Sequence, residues 1–268
     1  MAGEQKTGPI TPSHFGRWKT EARRITMLTA YDHAMAALLD AAGVDCLLVG
    51  DSLGMVVQGQ TTTLPVTLGQ MLYHTAMVVR GTQRALVVGD MPFGSYHLSP
   101  RQAVRSACRF IKETGCGAVK LEGGRRMSET IRAIVDAEVP IMGHVGMTPQ
   151  SVKRFGGFKV QRDVEAIRAD ARAVADAGAF AVVLECIPAD LAETITRELP
   201  IPTIGIGAGA ACDGQVLVMH DMLGLYEGHR PRFARRYAEL GQAVRQAAAS
   251  YVEDVREARF PNDGESFH

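Results

Sequence analysis

Eight short apolar runs alternate with segments of helical periodicity, several of those runs are apolar at every position, and the chain has 268 residues. Together these observations predict an α/β protein, a closed (β/α)₈ TIM barrel with an N-terminal helix and a C-terminal helical extension, forming one domain over residues 1–268. Continuously apolar runs suit strands covered on both faces, as in a parallel sheet beneath helices. An open doubly wound sheet is the alternative that the same alternation allows.

Thr11-Pro12 opens a short helix carrying Phe15 and Trp18, which could cover the bottom of the barrel. The predicted strands are residues 24–29, 46–50, 85–89, 118–121, 140–143, 180–184, 202–205 and 215–219. Between the third and fourth, Ser99, Pro100 and Gln102 read as an N-cap, an N1 proline and a capping-box partner, and Gly115 ends that helix. A second clear helix covers 163–177 and is closed by Gly178; a third covers 189–199 and is stopped by Pro200. Residues 231–257 read as one long helix or two, before a polar end, FPNDGESFH.

Apolar residues make up 46% of the chain and charged residues 22%, with zero net charge, so the totals favour neither a nucleic acid nor a membrane surface as partner. No run is long enough to span a bilayer, and the opening MAGEQKTGPI has no apolar signal core, which makes the cytoplasm the expected location. The five cysteines lack metal-ligand spacing and are expected to be reduced thiols.

Four of the predicted strands end in an acid: LLVGDS at Asp51, LVVGD at Asp90, AVKLE at Glu122 and AVVLE at Glu185. In a parallel barrel every strand's C-terminus reaches the same face, so acids remote in sequence would converge at one mouth. His144, in IMGH, would join them, and Lys120 lies two residues before Glu122, hence on the same side of its strand. Three neighbouring carboxylates repel unless one takes a proton or a cation sits among them, and an oxygen-only set suits Mg²⁺. Zinc is not indicated, because neither HExxH nor a Cys/His cluster is present. The plainer reading makes each acid a solvated loop starter or a helix cap. GIGAGA, after the seventh strand, reads as a tight turn rather than a phosphate loop, and GGFK, 156–159, as a lid or an ordinary surface loop. His220 and Asp221, after the eighth strand, are a weak signal, and His74 reads as structural.

TMLTAYD, LLVGDSLGMVVQG, TLPVTLGQMLYHT, VKLEGG, GHVGMTPQS, GGFKVQ, VLECIP, IPTIGIGAG and DGQVLVMHD, in this order, resemble the ketopantoate hydroxymethyltransferase family from about Thr11 to the tail. Gln60 stands where the family commonly has His, and Arg162-Asp163 runs into the helix without the family's usual small insertion. The resemblance implies a (β/α)₈ barrel assembled as a homodecamer, a pentamer of dimers. It implies transfer of a hydroxymethyl unit from 5,10-methylenetetrahydrofolate to 3-methyl-2-oxobutanoate, giving 2-dehydropantoate, the first committed step of pantothenate biosynthesis. Carried over by motif, Asp51, Asp90 and Glu122 would hold Mg²⁺, while Ser52 and Lys120, together with Asp51 and Asp90, would meet the substrate. Glu185 would be the catalytic base, with His144 standing behind the metal acids. Rival readings are another Mg²⁺-dependent carbon–carbon lyase acting on a 2-oxo acid, a Schiff-base enzyme using Lys120, and a barrel kept only for binding or assembly.

Overall fold

The computed structural model describes residues 8–225 and 231–267. It divides into two compact units, Met1–Leu217 and Val218–His268. In the first unit eight strands form a closed barrel in sequence order: β1 Ile25–Thr29, β2 Cys46–Val49, β3 Leu86–Asp90, β4 Ala118–Lys120, β5 Ile141–Gly146, β6 Ala181–Glu185, β7 Thr203–Ile206 and β8 Gly214–Leu217. Every neighbouring pair is parallel, and β8 closes on β1 with Met27 opposite Val216. The predicted barrel is the observed one.

The interior is filled by alternate residues. Ile25 and Met27, Cys46 and Leu48, Leu86 and Val88, Ala118, Met142, Ala181 and Val183, Ile204 and Ile206, and Val216 form one buried cluster. Strand side chains alternate in direction, so the next inward positions along β3, β4, β5 and β6 are Asp90, Lys120 with Glu122 beyond it, His144 and Glu185. The polar mouth is therefore the continuation of the apolar core, one layer up.

The lower end is closed as expected by α1, Pro12–Thr20, whose Phe15 and Trp18 are buried in that cluster. Phe15 meets Phe180 edge-on at 5.3 Å, and the Arg23 guanidinium lies 3.8 Å from the centre of the Trp18 ring. Buried Asp45 accepts from the Thr26 N–H and hydroxyl and pairs with Arg23, which spends a buried charge on holding β1 to the start of β2.

The helices of this unit are α2 His33–Ala41, α3 Leu53–Val56, α4 Leu68–Gly81, α5 Pro100–Arg109, α6 Ser128–Asp136, α7 Val152–Phe155, α8 Val164–Asp176 and α9 Ala189–Glu198. Ser99 caps α5 by accepting from Gln102 N–H. Gln102 does not return the bond to Ser99; its side-chain oxygen accepts from the Leu98 N–H instead, one residue earlier than a capping box requires. The last turn of this segment, Phe110–Thr114, widens to a π-helix before Gly115.

The β7–β8 connection has no helix. Each strand has four residues, so residues 207–213 can return from mouth to base, a span of at most about 25 Å when extended. Gly209 has φ +82°, and a Cβ there would lie 2.6 Å from the Ala189 Cβ. The first two residues of GIGAGA therefore end β7, and Gly207 and Gly209, both with positive φ, shape the start of the connection.

In the second unit α10 covers Met219–Leu223 and ends at Gly224, φ +62°. His220 and Asp221 lie in this helix rather than at the end of a strand, because β8 stops at Leu217. Residues 231–239 are irregular with one turn at 232–233, and the predicted tail helix begins later, as α11 Leu240–Arg256. Among the described residues no helix is long and apolar enough to cross a membrane.

Candidate active site

Asp90 ends β3 and Glu185 ends β6, while Asp51 and Glu122 lie two residues past the ends of β2 and β4. Lys120 on β4 reaches across to Asp90, opposite it in register, with Nζ 2.7 Å from Oδ1 and 2.8 Å from Oδ2. Asp51 is joined to the pair through its backbone, whose N–H donates to Asp90 Oδ2 at 3.3 Å. Ser52 follows at the head of α3, with its hydroxyl 2.9 Å from that of Tyr31.

On the other side His144 lies between two acids. Its Nδ1 is 3.6 Å from Glu122 Oε1 and its Nε2 is 3.1 Å from Glu185 Oε2. These approaches are close but not aligned as hydrogen bonds: both ring nitrogens and Glu122 Oε1 are buried without a hydrogen-bond partner. β5 can bring His144 this near to β6 because Gly146, φ +95°, packs where a Cβ would stand 2.3 Å from the Glu185 carbonyl oxygen.

Two residues without a sequence-based role complete the site. The Gln150 side chain donates to Asp51 Oδ2 at 2.9 Å and to the Met91 carbonyl at 3.0 Å, and its backbone N–H donates to Glu122 Oε2 at 3.0 Å. The Tyr96 hydroxyl donates to Gln150 Oε1 at 2.7 Å. Both follow strands, at the mouth ends of β3 and β5, but in loops where no periodicity marks an inward position. The only signal in the sequence was chemical: buried acids need donors.

All the residues expected at the site are therefore gathered at one mouth. Asp51, Asp90, Lys120, Glu122 and His144 are each at most 5% exposed. Burial, then the neighbouring Asp90 charge, pushes the Asp51 carboxyl up to about 7, although Lys120 and Gln150 pull the other way. Glu122 is raised well above the ordinary carboxyl value, first by burial and then by Asp51. Burial works against the charge on Lys120, but Asp90, Glu122 and Asp51 outweigh it and hold its pKa above the ordinary value. Burial and then Lys120 lower His144, so its ring is neutral at pH 7.

Three buried carboxylates facing one lysine lack two positive charges. Without a cation, burial and mutual repulsion favour protonation of Asp51 and Glu122. A divalent ion would supply the missing charge, and the unpartnered Glu122 Oε1 is an oxygen left free for one. The donor set of hard carboxylate oxygens fits Mg²⁺. Among the described residues no trio of His, Cys, Asp or Glu already stands at full ligating spacing.

The raised carboxyls set a direction for stability. The folded chain retains protons that the unfolded chain releases near pH 4. The contribution of Asp51 is fully present below about pH 4 and is lost as pH rises through about 7. In metal-free buffer the melting temperature should fall across this window, and Asp51→Asn should flatten the slope. Thermal melts of both proteins from pH 4 to pH 8 check this; equal slopes would contradict it.

A parallel barrel that carries acids, a lysine and a histidine at the C-terminal mouth of its strands defines an enzyme of the (β/α)₈ class, with its chemistry at that face. The family model for ketopantoate hydroxymethyltransferase matches residues 9–263. A 3-methyl-2-oxobutanoate hydroxymethyltransferase from Syntrophus aciditrophicus is 54% identical, covering 100% of both chains. Another so named, from Desulforapulum autotrophicum, is 57% identical over 94% of this chain and 96% of its own. The chain belongs to the ketopantoate hydroxymethyltransferase family and is a transferase enzyme. Among solved structures, a phosphoenolpyruvate phosphomutase from Streptomyces platensis subsp. rosaceus superposes with TM-score 0.65 at 14% identity, covering 93% of this chain and 88% of that one. A 2,3-dimethylmalate lyase of the PEP mutase/isocitrate lyase superfamily gives 0.60 at 18%, covering 96% and 92%. At these identities the likeness is one of fold.

Proposed function

We propose that the chain transfers a hydroxymethyl unit from 5,10-methylenetetrahydrofolate to 3-methyl-2-oxobutanoate, giving 2-dehydropantoate for pantothenate biosynthesis, with Mg²⁺ at Asp51, Asp90 and Glu122. The observation that carries the reading is the charge deficit at the mouth: three buried carboxylates and one lysine, beside a further acid, Glu185, approached by a neutral histidine. When bound, Mg²⁺ would supply electrophilic stabilisation for the negative charge that grows on the substrate's keto oxygen.

The chain's own groups account for the remaining steps. Lys120, kept charged by the acids around it, offers its ammonium to the substrate carboxylate. Asp51 and Asp90, joined by the Asp51 N–H, and the adjacent Ser52 orient the keto acid. Glu185 takes the proton from C3. His144 Nε2 lies 3.1 Å from Glu185 Oε2 but is not aligned to it; a small rotation of either side chain would let it donate its N–H to that oxygen and leave Oε1 to the substrate. The carbanion equivalent at C3 then forms the new carbon–carbon bond with the folate's one-carbon unit, whose bonds to nitrogen break, and water supplies the hydroxyl oxygen.

The protein so described would work in the cytoplasm as a homodecamer, for which the support is family resemblance. Purified protein should turn over 3-methyl-2-oxobutanoate with methylenetetrahydrofolate and Mg²⁺, and light scattering should give the mass of the decamer. Carbon–carbon cleavage of a 2-oxo acid without folate would favour a lyase instead. Borohydride trapping of the keto acid on Lys120 would favour a Schiff base.

A further inference from the structure

The acids expected to share a cation repel one another, and Asp51 and Glu122 lie beyond the last residues of their strands. One residue from a third segment touches both. Gln150 sits in the 3₁₀ turn Pro149–Ser151 that follows β5, and it is 4% exposed.

Its hydrogen bonds are all committed. The Met91 carbonyl can only accept, so the amide NH₂ must face it at 3.0 Å, and the same nitrogen then donates to Asp51 Oδ2 at 2.9 Å. The amide oxygen then faces Tyr96. That hydroxyl has one hydrogen and two acceptors in reach, Gln150 Oε1 at 2.7 Å and the Glu122 carbonyl at 3.4 Å; the shorter contact takes it. The Tyr96 oxygen in turn accepts from Glu122 N–H at 3.2 Å, and Gln150 N–H donates to Glu122 Oε2 at 3.0 Å. The bonds form a closed circuit: Glu122 backbone to Tyr96, Tyr96 to Gln150, and Gln150 to the carboxylates of both Asp51 and Glu122.

We propose that Gln150 and Tyr96 are positioning residues for the divalent cation, Gln150 holding one oxygen of Asp51 and one of Glu122 so that the second oxygen of each is presented to the ion, and Tyr96 fixing the direction of the Gln150 amide. The proposal rests on the reading of this mouth as a cation site. A neutral amide is the side chain that can do this. It gives donors to the acids and an acceptor to the tyrosine without adding charge. A glutamate would add a fourth repelling carboxylate, and a leucine would remove the amide donor from Asp51 Oδ2 and the Met91 carbonyl and the short acceptor from the Tyr96 hydroxyl.

Mn²⁺ serves as the probe, because the loss of its free-ion electron paramagnetic resonance signal reports binding without turnover. Wild type, Gln150→Leu, Tyr96→Phe and the double variant are titrated as full chains, with thermal melts alongside. Gln150→Leu should weaken Mn²⁺ binding about 10- to 100-fold, the loss typical when a group that orients a ligand is removed. Tyr96→Phe should weaken it about fivefold, as for one neutral hydrogen bond. The double variant should bind no more weakly than Gln150→Leu, since the tyrosine acts through the glutamine. A role confined to stability would lower the melting temperature and leave the Mn²⁺ affinity of the folded protein unchanged. Wild-type affinity in folded Gln150→Leu, or in Tyr96→Phe should the first variant not fold, overturns the proposal. Failure of wild type itself to take up Mn²⁺ overturns the cation-site reading beneath it.

Discussion

Glu185→Gln should retain binding of the keto acid and of Mg²⁺ while losing proton exchange at the substrate's C3 by about 10²- to 10⁴-fold, the range supplied by a placed general base. The substitution preserves shape and removes the carboxylate that would receive the proton. Glu185 sits where this loss can be read cleanly. It ends β6, its carbonyl is packed against Gly146, and its side chain is approached by neutral His144, so the amide should be accommodated without disturbing the Lys120–Asp90 pair. Exchange in deuterated water with 3-methyl-2-oxobutanoate and Mg²⁺, followed by NMR without folate, isolates the deprotonation from carbon–carbon bond formation. Exchange at the wild-type rate in the variant would remove Glu185 from the role of base.

Asp90→Ala should abolish turnover, and excess chelator should do the same to wild type in a way that added Mg²⁺ reverses. The structure adds a second consequence. Asp90 is the partner of buried Lys120 through both carboxylate oxygens, and removing one member of a buried pair typically costs about 3–5 kcal/mol because the other charge is stranded. Asp90→Ala should therefore lower stability as well as activity. Asp90→Asn keeps the side chain's shape and an oxygen for Lys120, and should lose turnover with a smaller fall in melting temperature. Chemical denaturation of both variants, beside activity with and without Mg²⁺, separates the two effects. Turnover that persists undiminished in chelator would rule out the metal role.

The Lys120–Asp90 pair also bears on how substrate enters. Lys120 was expected to meet the substrate carboxylate, yet in the free protein both Asp90 oxygens occupy it. A substrate carboxylate and a divalent ion would relieve the pair together, the one taking over Lys120 and the other Asp90. Free and bound states then exchange one buried set of compensated charges for another, and neither leaves a charge stranded.

Much of the site was legible before the fold was seen, and the reason is local. Side-chain direction alternates along a strand whatever the strand's neighbours are, so the apolar residues at Val88, Ala118, Met142 and Val183 already implied that Asp90, Lys120, His144 and Glu185 continue the same inward row. The cap at Ser99 and the glycine stops at Gly115 and Gly178 were readable because they depend on one or two residues' backbone preferences. The tail helix was misplaced at its start, since residues 231–239 have helix-compatible composition but are irregular. Identification of the acids, their shared mouth and the likeness of their motifs to one family all came from the chain itself.

What only the tertiary structure decided is who pairs with whom. Closure of the barrel sets Asp90 opposite Lys120, and the path of two loops brings Gln150 and Tyr96 between Asp51 and Glu122. Loop residues follow no side-chain period, and a hydrogen bond between segments far apart in sequence depends on every intervening turn. Alternation is a property of each strand alone; partnership is a property of the closed ring.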